Sequence, residues 1–115
     1  MITLYGIPNC DTVRQARVWL GERGVAHAFH DFKKQGLPEV VLDAWLASLG
    51  WEALVNRRST TWRRLDDATR AAVVDAASAR RVLLAQPSLI KRPVVQWEDV
   101  AFTAGFDTAD WQRRI

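Results

Sequence analysis

The chain has 115 residues, of which 16 are basic and 13 acidic, for a formal charge of +3, and 49% are hydrophobic. That length and apolar content suit one packed domain, and two histidines and one cysteine are too few ligands for a structural zinc site, so no metal is expected. Arginine outnumbers lysine, but there is no basic tail or aromatic-basic RNA motif, so direct nucleic-acid binding is not expected either.

No apolar run approaches the ~20 residues of a membrane helix. The chain opens on strand-like Ile2-Thr-Leu-Tyr5 rather than on a basic leader. A cytoplasmic protein without membrane contact is therefore expected, and one unpaired cysteine suits a reducing compartment.

In chain order, Ile2, Leu4 and Tyr5 predict a first strand that Gly6 and Pro8 break. Thr12 offers a capping hydroxyl, and Val13, Ala16 and Leu20 then recur at helical spacing. Cys10 falls at this strand-helix junction, where unpaired backbone N–H groups and the helix dipole favour negative charge. A free thiol titrates near ~8.5, and a helix N-terminus with nearby cations lowers that to roughly 3.5–7.5. Arg14, one turn on, can supply such a cation. Gly21 and Gly24 loosen the helix end, and Val25 to Phe32 predicts a second strand, completing a βαβ unit. His27 and His30 are an odd number of residues apart and fall on opposite strand faces, so they do not form an acid-base pair.

Pro38 is suited to the first helical position and Gly50 to the residue past the end, with Val41, Leu42, Trp45, Leu46 and Leu49 between them as one apolar stripe. Trp51, Leu54 and Val55 continue as a further helical turn. Trp45, Trp51 and Trp62 are expected in the core or in groove walls rather than on a stacking platform. Asn56-Arg-Arg-Ser-Thr-Thr-Trp-Arg-Arg64 carries four arginines and no acid. Guanidiniums and hydroxyls in that density can grip an anionic group, the alternative being a solvated basic face. From Asp66 to Gln86 the chain is alanine-rich and helical, with a break expected near Asp75 to Ser78 and an end at Pro87. Pro93 then precedes an apolar strand, and an Arg92–Pro93 bond can be cis at modest cost. Val94 to Trp97 and Val100 to Ala104 read as an antiparallel pair, and a last helix begins after Asp107 or Thr108 and carries Trp111.

The resulting order, βαβ, helices, then ββα, resembles the thioredoxin-like fold: an α/β mixed sheet with an inserted helical subdomain. It implies a single domain over residues 1–115, with 1–36 and 87–115 forming the sheet part and 37–86 the helical insertion. Tyr5-Gly-Ile-Pro-Asn-Cys-Asp-Thr12, His30-Asp-Phe-Lys33, Asn56-Arg-Arg-Ser-Thr-Thr-Trp-Arg63 and Leu89-Ile-Lys-Arg-Pro93 together resemble the ArsC/Spx family, most closely its small YffB-type members.

The resemblance implies thiol chemistry linked to glutathione as co-substrate. In the arsenate reductases of the family a cysteine at the position of Cys10 attacks the oxyanion, an arginine at the position of Arg92 binds it, and glutathione and glutaredoxin resolve the adduct. Asn9, Thr12, Arg14, Asn56, Arg57, Arg58, Lys91 and Pro93 are the implied substrate- or glutathione-binding residues. A further family arginine after the Arg-Pro strand has no counterpart in Thr103-Ala-Gly-Phe106, which weakens the case for arsenate. The YffB-type members imply a glutathione-dependent thiol reductase, and the Spx branch an interaction protein that docks on RNA polymerase. Many Spx proteins carry a Cys-X-X-Cys switch. Here Val13 stands at the second position, so no intramolecular disulfide can form.

Overall fold

The structure is a computed structural model that describes all residues, 1–115. The chain divides into two compact units, one of residues 1–36 with 92–115 and one of residues 37–91.

The first unit is built on β1 (Ile2–Gly6), α1 (Asp11–Glu22), β2 (His27–Asp31), β3 (Val94–Gln96), β4 (Phe102–Ala104) and α7 (Thr108–Arg114). Its sheet has the order β2-β1-β3-β4. β1 and β2 run parallel, with Leu4 opposite Phe29, while β3 is antiparallel to both β1 and β4, with Leu4 opposite Val95 and Val95 opposite Thr103. Ile2, Leu4, Val13, Ala16, Trp19, Leu20, Val95, Trp97 and Trp111 form the buried cluster of this unit. The side chains of β1 alternate between buried and half-buried, as one covered face requires, and the buried α1 residues lie three or four apart. Trp111 carries much of this core. Its ring meets Trp19, Trp97 and Phe106 edge-on, at centroid distances of 5.9, 5.1 and 4.8 Å.

Gly6 has a role that the sequence alone did not reveal. A Cβ placed there would stand 2.8 Å from Cγ2 of Val13, so the absence of a side chain is what lets the first turn of α1 close onto the end of β1.

The second unit is helical: α2 (Glu39–Leu49), α3 (Trp51–Leu54), α4 (Thr60–Arg64), α5 (Asp67–Ala71) and α6 (Ala76–Ala85), followed by a 3-10 turn over Pro87–Leu89. Pro38 is the N-cap of α2 rather than its first residue, and Gly50 closes it at a φ of 82°. Leu42, Trp45, Leu54, Ala79, Leu83, Leu89 and Ile90 are buried. Trp45 is therefore core, whereas Trp51 and Trp62 are half-buried.

The break in the alanine-rich segment comes slightly earlier than expected, over residues 72–75. Asp75 forms a capping box with Ser78, its carboxylate accepting the Ser78 N–H while the Ser78 hydroxyl oxygen accepts the Asp75 N–H. Across the unit, Arg80 joins α6 to α2 through Asp43 at 2.7 Å and Glu39 at 3.1 Å.

Several boundaries differ from the sequence expectation. β2 begins at His27 because Val25 is used to close the end of α1, donating its N–H to the Leu20 carbonyl. β4 begins at Phe102 because Val100, at a φ of 59°, belongs to the turn. Residues 87–91 belong with the helices rather than the sheet, since Val55 and Ile90 pair as an isolated antiparallel bridge. That bridge is flanked by hydrogen bonds from Asn56 N–H to the Leu89 carbonyl and from Lys91 N–H to the Leu54 carbonyl, each 2.8 Å.

Candidate functional site

Cys10 is the N-cap of α1, with extended φ and ψ of −101° and 125°. Its carbonyl accepts the Arg14 N–H at 2.9 Å, and its own N–H donates to the Ile7 carbonyl at 3.3 Å. This corrects the expectation that Thr12 caps the helix. The chain enters the helical conformation at Asp11, so Thr12 is already inside the first turn and exposed. With no side-chain cap present, the first-turn N–H groups remain available to an anion at the Cys10 position. The thiol is half-buried against the core cluster, and Asn9 beside it is exposed in the turn.

Arg14 is not the free cation expected from the sequence. Its guanidinium is held by the Asp11 carboxylate and by the Pro8 carbonyl, so most of its field is spent on a carboxylate of the same turn. Asp11 sits where a helix favours an acid, which draws the arginine to it.

Arg92 and Pro93 enter the same end of the sheet. Tyr5 pairs with Val94, which leaves Pro93 and Arg92 at the C-terminal end of β1, the end from which the chain turns through Pro8 and Asn9 into Cys10. The Arg92–Pro93 peptide bond is cis. Pro93 is buried and accepts the Gly105 N–H at 2.9 Å, while Arg92 is half-buried with no carboxylate paired to it. At this end of one sheet stand a thiol on a helix N-terminus, a guanidinium without a counter-ion and the backbone beside a proline. Such a set can bind and attack an electrophile bearing negative charge.

The other candidate residues lie in the helical unit. Asn56 shapes its loop: its side-chain oxygen accepts the Arg58 N–H at 3.1 Å and its carbonyl accepts the Ser59 hydroxyl at 2.8 Å. Ser59 in turn caps α4 by accepting the Trp62 N–H. The Arg57 guanidinium stands 5.7 Å from the Trp51 ring centroid and 5.8 Å from that of Trp62. Those half-buried tryptophans thus flank an arginine, within cation-π range of both. Arg58 is exposed, as is Lys91, which the Val55–Ile90 bridge brings to the same part of this unit.

His27 and His30 are accounted for structurally, through hydrogen bonds with the Val25 and Gly36 carbonyls at 3.0 and 2.8 Å. No group of three or more His, Cys, Asp or Glu side chains converges, and no helix is long and apolar enough to cross a membrane.

The four-stranded mixed sheet, with a cysteine at its first strand-helix junction and a cis proline entering β3, defines a thioredoxin-like α/β protein. The chain belongs to the ArsC family, whose profile matches residues 5–114. It is 42% identical to a YffB protein of known structure, covering 99% of this chain and 98% of that one, with a TM-score of 0.91. It is 46% identical to an arsenate reductase (ArsC) related protein from Brucella melitensis, covering 97% and 92% of the two chains, with a TM-score of 0.78. It is also 29% identical over 97 residues to the global transcriptional regulator Spx of Streptococcus agalactiae, covering 83% of this chain and 69% of the regulator.

Proposed function

We propose that this protein is a glutathione-dependent thiol-disulfide reductase that works through one nucleophilic cysteine. The observation that carries the reading is the position of Cys10: half-buried, at the uncapped N-terminus of the 12-residue α1, and at the same end of the sheet as Arg92 and Pro93. The Cys10 thiolate attacks the glutathione sulfur of a mixed disulfide. A new S–S bond to Cys10 forms, the old one breaks, and the substrate leaves as a thiolate that takes up a proton. A second glutathione thiolate then attacks the Cys10–glutathione disulfide, giving oxidised glutathione and regenerating the Cys10 thiolate. Each turnover consumes one glutathione thiol, the other half of the oxidised glutathione coming from the mixed disulfide, so no second protein cysteine is needed.

In this reading Arg92 holds anionic charge on glutathione and favours the Cys10 thiolate. The polar backbone beside Pro93 aligns the peptide in an extended conformation.

The test is turnover of a small glutathione mixed disulfide with glutathione, together with mass spectrometry after incubation with oxidised glutathione. The expected result is one glutathione adduct on Cys10 and none on Cys10→Ser, whose turnover is abolished. Arg92→Ala loses roughly ten- to a hundredfold, the range for a hydrogen bond to a charged group. Full turnover by Cys10→Ser would overturn the proposal.

A second reading, docking on a partner such as RNA polymerase without turnover, draws on the likeness to Spx. It requires capture of one stoichiometric partner that persists in Cys10→Ser. Arsenate reduction has less support, because where the family places another arginine the chain offers β4 and Gly105, whose N–H is taken by the Pro93 carbonyl.

A further inference from the structure

A second concentration of chemistry lies on the outer edge of β2. This strand is the last in the sheet and has β1 on one side only. The Phe32 N–H donates to the Gly6 carbonyl, which fixes the alternation: even-numbered residues of this segment turn their backbone groups toward β1, and His27, Phe29 and Asp31 turn theirs outward.

Asp31 is already closed off. Its N–H donates to Oε1 of Gln35 at 3.0 Å and its carbonyl accepts the Gln35 N–H at 2.8 Å. Gln35 therefore acts as a stop, and the N–H and C=O groups of His27 and Phe29 remain as a short open edge.

Beside this edge is a recess of about 390 Å³ lined by Arg14, Arg17, Val18 and His27. Arg17 lies over the Phe29 ring, 4.2 Å from its centroid, and no carboxylate is paired with it. Val18 is 57% exposed. Of the nearby acids, Asp11 is held by Arg14, and the Asp31 carboxylate accepts the Lys33 and Lys34 N–H groups. The side chains of His27 and Phe29 share the α1 face of the sheet, so a strand added to this edge would set every second side chain over the recess.

We infer that the open edge of β2 is a docking site for an extended acidic segment of a partner protein, paired through the backbones of His27 and Phe29, with its carboxylates received by Arg17 and its apolar atoms by Val18. An unpaired edge is a template for strand addition, and the surplus of positive charge beside it selects the sign of the guest. A second copy of this chain fits less well. Symmetric pairing of two β2 edges would bring two sets of Arg14 and Arg17 together, and like charges across a strand pair destabilise it. The inference does not depend on the chemistry of Cys10.

The test is an amide NMR titration of the full-length protein with three hexapeptides: a Val-Asp repeat, a Val-Lys repeat, and a Val-Asp repeat with its backbone nitrogens methylated. In the free protein the His27 and Phe29 amides should exchange quickly with solvent while those of Ala28 and His30 are protected. The Val-Asp peptide should shift and protect the first two. The Val-Lys and methylated peptides should bind at least tenfold more weakly, and Arg17→Glu should weaken Val-Asp binding by roughly threefold or more, as loss of an exposed ion pair implies. Exchange protection of His27 and Phe29 in the free monomer, equal binding of the lysine or methylated peptide, or full affinity in Arg17→Glu would each overturn the inference. Edge protection that appears with protein concentration alone would replace it with self-pairing.

Discussion

Gly6→Ala is a small change with a calculable effect. The added Cβ would lie 2.8 Å from one methyl of Val13 and 3.2 Å from the other. Val13 cannot yield easily: its side chain is fully buried, and a β-branched residue in a helix has one strongly preferred rotamer. Overpacking of this kind costs about 1–3 kcal/mol, and the lost freedom of the unfolded glycine offsets about 0.4–1 kcal/mol of it. The net loss is then between about 0 and about 2.5 kcal/mol, or up to about 10 °C in Tm for a chain of this size.

The partner in the clash can be tested directly. Val13→Ala alone should cost about 2–4 kcal/mol through lost burial and a cavity. In that background Gly6→Ala should be neutral or slightly stabilising, a coupling of about 1–3 kcal/mol between the two sites. Urea unfolding followed by tryptophan fluorescence measures all four proteins. Equal cost of Gly6→Ala in both backgrounds would show that the approach of α1 to β1 does not require the missing side chain. Because Val13 lies three residues beyond Cys10 on α1, Gly6→Ala should also slow formation of the Cys10–glutathione adduct by shifting the helix that carries the thiol.

Trp111→Ala removes a ring that is 1% exposed and meets three aromatic neighbours; a loss of about 3–5 kcal/mol is expected, whereas Trp111→Phe should retain part of the packing in the same urea assay. Asp75→Ala should lower Tm at neutral pH, with Asp75→Asn keeping part of the cap. The Ser78 N–H and hydroxyl hold the Asp75 carboxyl below its ordinary value of 3.8. Its contribution is therefore present above that value and lost as pH falls through the lower folded value, so the Tm difference between wild type and Asp75→Ala should close in strong acid; a gap that persists there would refute the assignment. Arg80→Ala should loosen α6 from α2. Its effect should shrink on acidification, since Arg80 holds the Asp43 carboxyl down as well, and differential scanning calorimetry from pH 7 to pH 2 would follow both variants.

Much of this architecture is written in local signals. Periodicity placed α1 and α2, Gly50 stopped α2 where a positive φ was needed, and Trp111 marked the last helix as a core element. The order of strands and helices around Cys10 and Arg92-Pro93 pointed to a thioredoxin-like sheet by resemblance, and the observed strand order agrees with it.

Side-chain partnerships were not legible in the same way. Arg14 read as a cation for the thiol, yet Asp11 lies nearer along the helix and takes its charge. Thr12 read as a cap because a hydroxyl is the usual choice, yet the turn through Pro8 and Asn9 starts the helix two residues sooner and makes Cys10 the N-cap residue. Residues 87–91 read as part of the sheet because they adjoin a strand, but their hydrogen bonds run to residues 54–56.

The sequence by itself determined the element types, the βαβ beginning, and the place of the single cysteine at a helix N-terminus, since these follow from short-range sterics and hydrophobic spacing. Only the tertiary structure decided that Gly6 must lack a side chain, that Arg57 comes within cation-π range of both Trp51 and Trp62, and that β2 has an open outer edge closed at Asp31 by Gln35. Those features depend on contacts between residues apart in sequence and on which strand is last in the sheet, and neither is set by the local preferences of any one segment.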